Sequence, residues 1–315
     1  MKIVVLDGYT LNPGDLSWEE LENIGTLTVY ERTRPEEVIE RASGCEILFT
    51  NKTPLPAEAI SVLNTVEYIG VLATGYDVVD VDAARKSGIT VTNVPSYGTD
   101  SVAQMVFAHI LEVCHHVWRH NELVKKGEWE RRMDFCFWDY PLIELHGKTL
   151  GIIGLGRIGR AVSGIALAFG MSVLAVDPGN DNQSGIEKVD LDELLERSDI
   201  ISLHCPLTAE TRGIINRDNI ARMKDGVILI NTSRGQLINE EDLADALNKG
   251  KLLAAGLDVL ISEPPDQGNP LLSAKNCIIT PHIAWAPVES RKRLMKIAVE
   301  NLNSFLKGKP VNVVN

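Results

Sequence analysis

The segment Lys148-Thr-Leu-Gly-Ile-Ile-Gly154-Leu-Gly156-Arg-Ile-Gly159 restricts what this chain can fold into more than any other. A short apolar run enters Gly-x-Gly-x-x-Gly without a spacer, and an amphipathic stretch follows at Ile158–Phe169. Strand, glycine turn and helix in that order form the opening of a dinucleotide-binding βαβ unit. Gly154 permits the tight turn, Gly156 lets the backbone approach a pyrophosphate, and Gly159 lets the helix pack on the strand. The N–H groups at the start of the helix are donors for phosphate oxygens. The pattern alone is a weak signal. It gains weight from Asp177, which ends the next strand candidate about twenty residues on, where a carboxylate accepts from the ribose hydroxyls. That acid repels a ribose 2′-phosphate, and Pro178-Gly179-Asn180-Asp181 holds no Arg or Lys to bind one, so NAD is expected over NADP.

The same alternation runs through nearly the whole chain. Strands are expected at Lys2–Asp7, Thr26–Tyr30, Glu46–Thr50, Glu67–Val71 and Ile89–Asn93, with helices at Trp18–Ile24, Pro35–Ser43, Ala57–Leu63 and Val79–Ser87. A second series follows: strands at Thr149–Ile153, Ser172–Val176, Ile200–Leu203, Val227–Asn231, Ala254–Leu257 and Cys277–Ile279. Helices at Ile158–Phe169, Leu191–Arg197, Asn216–Met223 and Glu240–Asn248 fall between its earlier members. The strand candidates are continuously apolar, as in parallel sheets covered on both faces. The fold class is therefore α/β, with two doubly wound parallel-sheet domains. Two long helical patterns join and close them, Asp100–Lys126 with Gly127 as its stop, and Pro287–Leu306. These helices suggest one domain inserted in the other, with 1–98 and 287–315 forming the first and 99–286 the second.

Composition excludes several alternatives. The 315 residues carry 31 basic and 43 acidic side chains, a formal charge of -12, and no long basic run. Nucleic-acid and membrane-surface partners are thus not expected. Met1-Lys2 leads into only four apolar residues, so no signal-peptide core is expected, and no run reaches the length of a membrane span. Cys45, Cys114, Cys136, Cys205 and Cys277 form no Cys-x-x-Cys pair and are expected as small buried side chains in a reducing cytoplasm. The seven histidines form no zinc-binding spacing, so no metal is expected.

Three charged residues stand where strands of the second series end. Arg234 lies in Asn231-Thr-Ser-Arg-Gly235, Glu263 in Asp258-Val-Leu-Ile-Ser-Glu-Pro264-Pro265, and His282 in Thr280-Pro-His-Ile-Ala-Trp285. Ligands of open α/β sheets bind at the carboxyl ends of the strands. Arg suits bidentate capture of a carboxylate, His suits proton exchange with a carbonyl oxygen, and Glu orients the ring and raises its pKa. Together they suit hydride transfer to a carbonyl beside a carboxylate.

With His204-Cys-Pro-Leu-Thr208 and Gly256-Leu-Asp-Val259, these motifs resemble the D-isomer-specific 2-hydroxyacid dehydrogenase family in order and spacing along essentially the whole chain. Val71-Leu-Ala-Thr-Gly-Tyr-Asp77 and Phe135-Cys-Phe-Trp-Asp-Tyr-Pro141 most resemble its glycerate dehydrogenases, also called hydroxypyruvate reductases. The resemblance implies a flavodoxin-like substrate domain with an inserted Rossmann NAD-binding domain, and a homodimer. It implies Arg234 as substrate anchor, Glu263 as support for the histidine, and His282 as acid/base. Beyond the glycine loop (Gly154, Gly156, Gly159), it aligns Thr74, Arg157, Ile158, Asp177, Cys205, Ser233 and Asp258 with cofactor-contacting positions. It aligns the backbone of Ala73, Thr74 and Gly75 with the loop that binds a substrate carboxylate, alongside Arg234 and His282. No regulatory domain of the kind carried by long phosphoglycerate dehydrogenases is expected after Asn315.

The lead substrate pair is hydroxypyruvate and D-glycerate. Glyoxylate, D-lactate or 3-phosphoglycerate chemistry remains open, as does a corepressor-like NAD(H)-sensing protein. Asn51, Lys52 and Ser96 are unranked partners for a substrate hydroxyl. Trp138 and Trp285 serve either a pocket or packing, Trp138 also as a candidate for a dimer interface. His115, His116 and His120 are expected at a surface or interface.

Overall fold

A strand such as Ile3-Val4-Val5 or Ile228-Leu229-Ile230 has no face suited to water and needs helices on both sides. In the computed structural model, which describes residues 1–179 and 183–315, such strands assemble into two separate sheets whose paired strands are all parallel. One unit comprises Met1–Gly98 with Trp285–Asn315, the other Thr99–Ala284.

In the first unit β1 (Lys2–Val5), β2 (Thr26–Val29), β3 (Ile47–Thr50), β4 (Tyr68–Val71) and β5 (Thr90–Thr92) take the order β2-β1-β3-β4-β5. That is the flavodoxin-like order. Short helices alternate with them: α1 (Glu19–Glu22), α2 (Val38–Ala42), α3 (Ala57–Ile60) and α4 (Val81–Lys86).

The second unit opens with α5 (Thr99–His115) and α6 (Val117–Lys125). It continues through β6 (Thr149–Ile153), α7 (Arg157–Ala168), β7 (Ser172–Val176), β8 (Ile186–Lys188), α8 (Leu191–Arg197) and β9 (Ile200–Leu203). It ends with α9 (Arg217–Arg222), β10 (Val227–Asn231), α10 (Glu240–Lys249), β11 (Leu252–Leu257) and β12 (Cys277–Ile279). The order β12-β11-β10-β9-β6-β7-β8 reverses direction between β6 and β9, the switch point at which such sheets bind ligands. Val106, Phe107 and Ile110 of α5 cover one face together with Val162 and Ala166 of α7. Leu194, Leu195, Leu243 and Leu247 cover the other.

The closing helix, α11 (Val288–Leu306), returns to the first sheet. Its Leu294, Ala298 and Leu302 share a core with Ile3, Val5, Phe49 and Tyr68. Its Arg291 is buried, donating to Leu11 O at 2.9 Å, Ala286 O at 2.8 Å, and both carboxylate oxygens of Asp15 at 2.8 and 2.6 Å.

Three expectations are corrected. The helix expected over Asp100–Lys126 breaks at His116, whose φ is +45°. His120 Nδ1 lies 3.1 and 3.0 Å from the carbonyls of His115 and His116, and α6 buries no side chain, so packing does not hold it in line with α5. β8 was not foreseen because Ile-Glu-Lys is too short and too charged to read as a strand; it pairs with Val173–Ala175 through its backbone. Cys136 is exposed rather than buried, lying in the irregular segment after α6 that contributes nothing to the core. Asn180 and Asp181 lie outside the described residues. Among the described residues no helix is long and apolar enough to cross a membrane.

Candidate active site

The glycine loop joins β6 to α7 at the switch point, and each glycine meets a different demand. Gly154 has φ +99°, and a Cβ there would lie 2.4 Å from the backbone nitrogen of Cys205. At Gly159 a Cβ would lie 2.2 Å from Gly154 O, so helix and loop touch through their backbones. Gly156 differs, since a Cβ there would meet nothing within 4 Å. Its smallness serves no packing inside the protein, and it sits as N-cap of α7 with no side-chain cap. An open space before uncapped helix N–H groups fits the pyrophosphate of a dinucleotide. Arg157, Ile158 and Gly159 open that helix.

Asp177 follows β7 and is tied to this loop. Its Oδ2 accepts Leu155 N–H at 2.7 Å and its Oδ1 accepts Gly179 N–H at 2.9 Å. The carboxylate is thereby fixed beside the glycine turn, with lone pairs remaining for ribose hydroxyls. The structure also brings up a cation absent from the local sequence: Lys188 of β8 donates to the carbonyl of Gly179. Local reading of residues 178–181 missed it, because the lysine arrives through strand pairing.

His282 follows β12 and holds φ +54°, a left-handed conformation uncommon outside glycine, though histidine is among the residues that tolerate it best. Its Nδ1 lies 2.5 Å from Glu263 Oε2, while Glu263 Oε1 accepts Leu260 N–H at 3.1 Å. A carboxylate facing Nδ1 places the proton on that nitrogen. The turn around His282 is pinned by Asp258, which follows β11 and is 2% exposed. Asp258 O accepts His282 N–H at 2.9 Å. Its Oδ1 accepts the Thr280 hydroxyl at 2.6 Å and Ile283 N–H at 2.9 Å, and its Oδ2 accepts Ala284 N–H at 2.8 Å.

Arg234 follows β10. Its Nη1 donates to Ser233 O at 2.9 Å, and its own carbonyl accepts from Asn231 Nδ2 at 2.8 Å. The next residue, Gly235, lies against the chain that leads to Glu263, where a Cβ would stand 2.0 Å from the carbonyl carbon of Leu260. Gly235 thus brings the Arg234 and Glu263 loops together. Ser233 Oγ donates to Cys205 O at 2.9 Å, linking the ends of β10 and β9. Burial pushes the Cys205 thiol above the ordinary cysteine range, which makes it a packing group rather than a nucleophile.

Ala73, Thr74 and Gly75 belong to the first unit, beyond the end of β4. Ala73 O accepts Val94 N–H at 2.9 Å, Thr74 O accepts Asn93 Nδ2 at 2.7 Å, and Thr74 Oγ1 donates to Val94 O at 2.9 Å. The neighbouring loop after β3 is organised by Asp7, whose carboxylate accepts the N–H groups of Asn51, Lys52 and Thr53 at 2.7, 2.5 and 2.7 Å. Asn51 is buried and donates to Thr10 Oγ1, so its amide serves the fold. Lys52 is exposed, and Ser96 holds φ +68°. Trp285 packs edge-on to Tyr97 with ring centroids 6.5 Å apart, whereas Trp138 is 62% exposed.

Comparison with known proteins agrees with this geometry. Residues 107–284 match the model of the NAD binding domain of D-isomer specific 2-hydroxyacid dehydrogenases. A hydroxypyruvate reductase of Blautia hydrogenotrophica is 61% identical over 322 aligned residues, spanning all of both chains. A glycerate dehydrogenase of Methylorubrum extorquens is 40% identical, covering 99% of this chain and 98% of its own. Among solved structures, an acyclic imino acid reductase in complex with NADPH and D-Arg superposes with a TM-score of 0.88 at 34% identity, over all of both chains. With the glycine loop, the strand-end Arg, Glu and His, and these matches along its length, the chain belongs to the D-isomer specific 2-hydroxyacid dehydrogenase family.

Proposed function

We propose that the protein is an NAD(H)-dependent dehydrogenase that interconverts a small 2-keto acid and its D-2-hydroxy acid, with hydroxypyruvate and D-glycerate as the lead pair. The observation that carries this reading is the Glu263–His282 hydrogen bond of 2.5 Å at the carboxyl edge of a dinucleotide-binding sheet. The backbone from Gly154 to Gly159 and the start of α7 would hold the pyrophosphate, and Asp177 the adenosine ribose. When bound, the dihydronicotinamide supplies the hydride for the keto carbon. His282 then gives its Nε2 proton to the carbonyl oxygen, and the Glu263 carboxylate stabilises the imidazolium present before that transfer. Arg234 holds the substrate carboxylate through paired N–H donors and draws charge toward it. Oxidation of the hydroxy acid reverses these roles.

The 61% identity to a hydroxypyruvate reductase supports the choice of substrate. The preference for NAD rests on the Asp177 carboxylate. We also propose a homodimer, supported by the exposed aromatic residues Trp118, Trp129, Phe135 and Trp138 on α6 and the segment after it. Five unpaired cysteines support a cytoplasmic setting.

The test is consumption of NADH on adding hydroxypyruvate, run beside glyoxylate, pyruvate and 3-phosphohydroxypyruvate. The highest kcat/KM is expected for hydroxypyruvate. A higher value for another acid reassigns the substrate. NADH binding without turnover of any acid overturns the enzyme reading in favour of a cofactor sensor.

A further inference from the structure

Thr280, Ile283 and Ala284, all in the segment that carries His282, donate to the Asp258 carboxylate, and one of these donors is itself held from outside. Thr280 Oγ1 gives its proton to Asp258 Oδ1 at 2.6 Å. The same hydroxyl oxygen lies 3.1 Å from Nε2 of His109. A hydroxyl whose proton is committed has only lone pairs left, so Nε2 of His109 carries a hydrogen and donates it to Thr280. His109 sits in the middle of α5 and is 3% exposed. Its place there is prepared by Gly256 of β11, where a Cβ would stand 2.7 Å from the Cβ and 2.9 Å from the Cγ of His109. An imidazole in an otherwise apolar helix face, beside a glycine that clears room for it, is a costly way to fill a core. Val106, Ile110 and Val113 around it in sequence fill theirs with hydrocarbon. Burial also holds the ring below the ordinary histidine range, which keeps it neutral, with one N–H to give.

We infer that His109 is a positioning residue for the reaction: through Thr280 and Asp258 it holds the left-handed turn that aims His282. The chain of contacts is His109 Nε2–H to Thr280 Oγ1, Thr280 O–H to Asp258 Oδ1, and the Asp258 carboxylate to the N–H groups of Ile283 and Ala284. The last two flank His282 on its C-terminal side. Without the His109 bond, the Thr280 hydroxyl is freer to rotate off Asp258, and one of the bonds that pin the left-handed turn is weakened. The inference rests on His282 being the acid/base.

The test compares His109→Leu, which keeps volume without a donor, with His109→Gln, whose amide nitrogen reaches about as far as Nε2. Thr280→Val and Thr280→Ser form a parallel pair should His109→Leu fold poorly. Steady-state kinetics with hydroxypyruvate are measured with NADH and with NADH carrying deuterium at the transferred position. For His109→Leu we expect kcat lower by roughly tenfold, since small misplacement of a catalytic group costs on the order of ten- to a hundredfold. KM for NADH stays within about twofold, the deuterium effect on kcat rises as chemistry becomes limiting, and Gln and Ser restore most of the rate. In a His282→Ala background the His109→Leu change is expected to have no further effect on kcat. Parental kcat in both His109→Leu and Thr280→Val overturns the inference, and so does an equal loss with and without His282. His282→Ala at parental speed overturns the acid/base reading itself, a result independent of either His109 variant.

Discussion

Glu263 and His282 meet through Oε2 and Nδ1 at 2.5 Å, and the second oxygen of Glu263 is anchored on Leu260 N–H. The carboxylate is therefore held at both ends, with one oxygen facing Nδ1 of the imidazole. Replacing His282 by Ala is expected to lower kcat for hydroxypyruvate by about 10²–10⁴, the usual scale for a lost general acid. Glu263→Gln keeps the shape but removes the charge, and a smaller loss is expected. Steady-state kinetics of the two variants check the order.

The glycine loop separates packing from binding. At Gly156 nothing lies within 4 Å of an added Cβ, so Gly156→Ala is expected to stay within about 0.5 kcal/mol of the parent in urea unfolding. Its Cβ enters the space assigned to the pyrophosphate, and NADH affinity is expected to fall at least about tenfold, or 1.4 kcal/mol. Gly159→Ala meets the Gly154 carbonyl at 2.2 Å and is expected to lose about 1–3 kcal/mol of stability. Urea curves and fluorescence titration with NADH distinguish the two.

The proposed preference for NAD rests on Asp177, and Lys188 donates to the carbonyl of Gly179, two residues further on. Asp177→Asn removes the charge that repels a 2′-phosphate, while Lys188 remains at the turn on Gly179. The ratio of kcat/KM for NADPH over NADH is expected to rise by roughly tenfold or more, on the scale of one lost charge contact. Adding Lys188→Met is expected to reverse most of that gain. An unchanged ratio in Asp177→Asn counts against the role given to this acid.

Arg291 fastens α11 to the segment after β1. Arg291→Met leaves the Leu11 and Ala286 carbonyls without their donor and is expected to cost about 1–3 kcal/mol, a figure that rests on those buried bonds. The Arg291 guanidinium holds the Asp15 carboxyl below its usual range. A carboxylate with a depressed folded-state pKa contributes stability above its unfolded pKa of about 3.9, and that contribution disappears as pH falls through the lower folded value. The stability difference between parent and variant is therefore expected to shrink below pH ~4. Urea unfolding from pH 7 to pH 3 checks it.

Much of the fold was legible in short windows. Ile-Val-Val and Val-Ile-Leu-Ile runs require burial on both faces, and the helical pattern over 287–306 forms α11, with Pro287 as its N-cap. Other features were not legible, because their causes are far apart in sequence. His116 breaks a helix whose residues are helix-compatible on both sides, and the break follows from α5 having a core to cover and α6 none. Lys188 reaches the turn after Asp177 only because β8 pairs with β7.

By itself the sequence determined what steric fit and periodicity decide within a dozen residues. That includes the strand–glycine–helix unit at 149–168, the parallel character of the strands, and a carboxylate at the end of β7. Tertiary structure decided which side chains meet. Asp258 and Thr280 are 22 residues apart, and Thr280 and His109 are 171 apart. Nothing in their local composition marks them as partners. They meet because β11 and β12 are neighbours in the sheet and α5 lies across Gly256, and a hydrogen bond, unlike a hydrophobic period, depends on that arrangement to within a few tenths of an ångström.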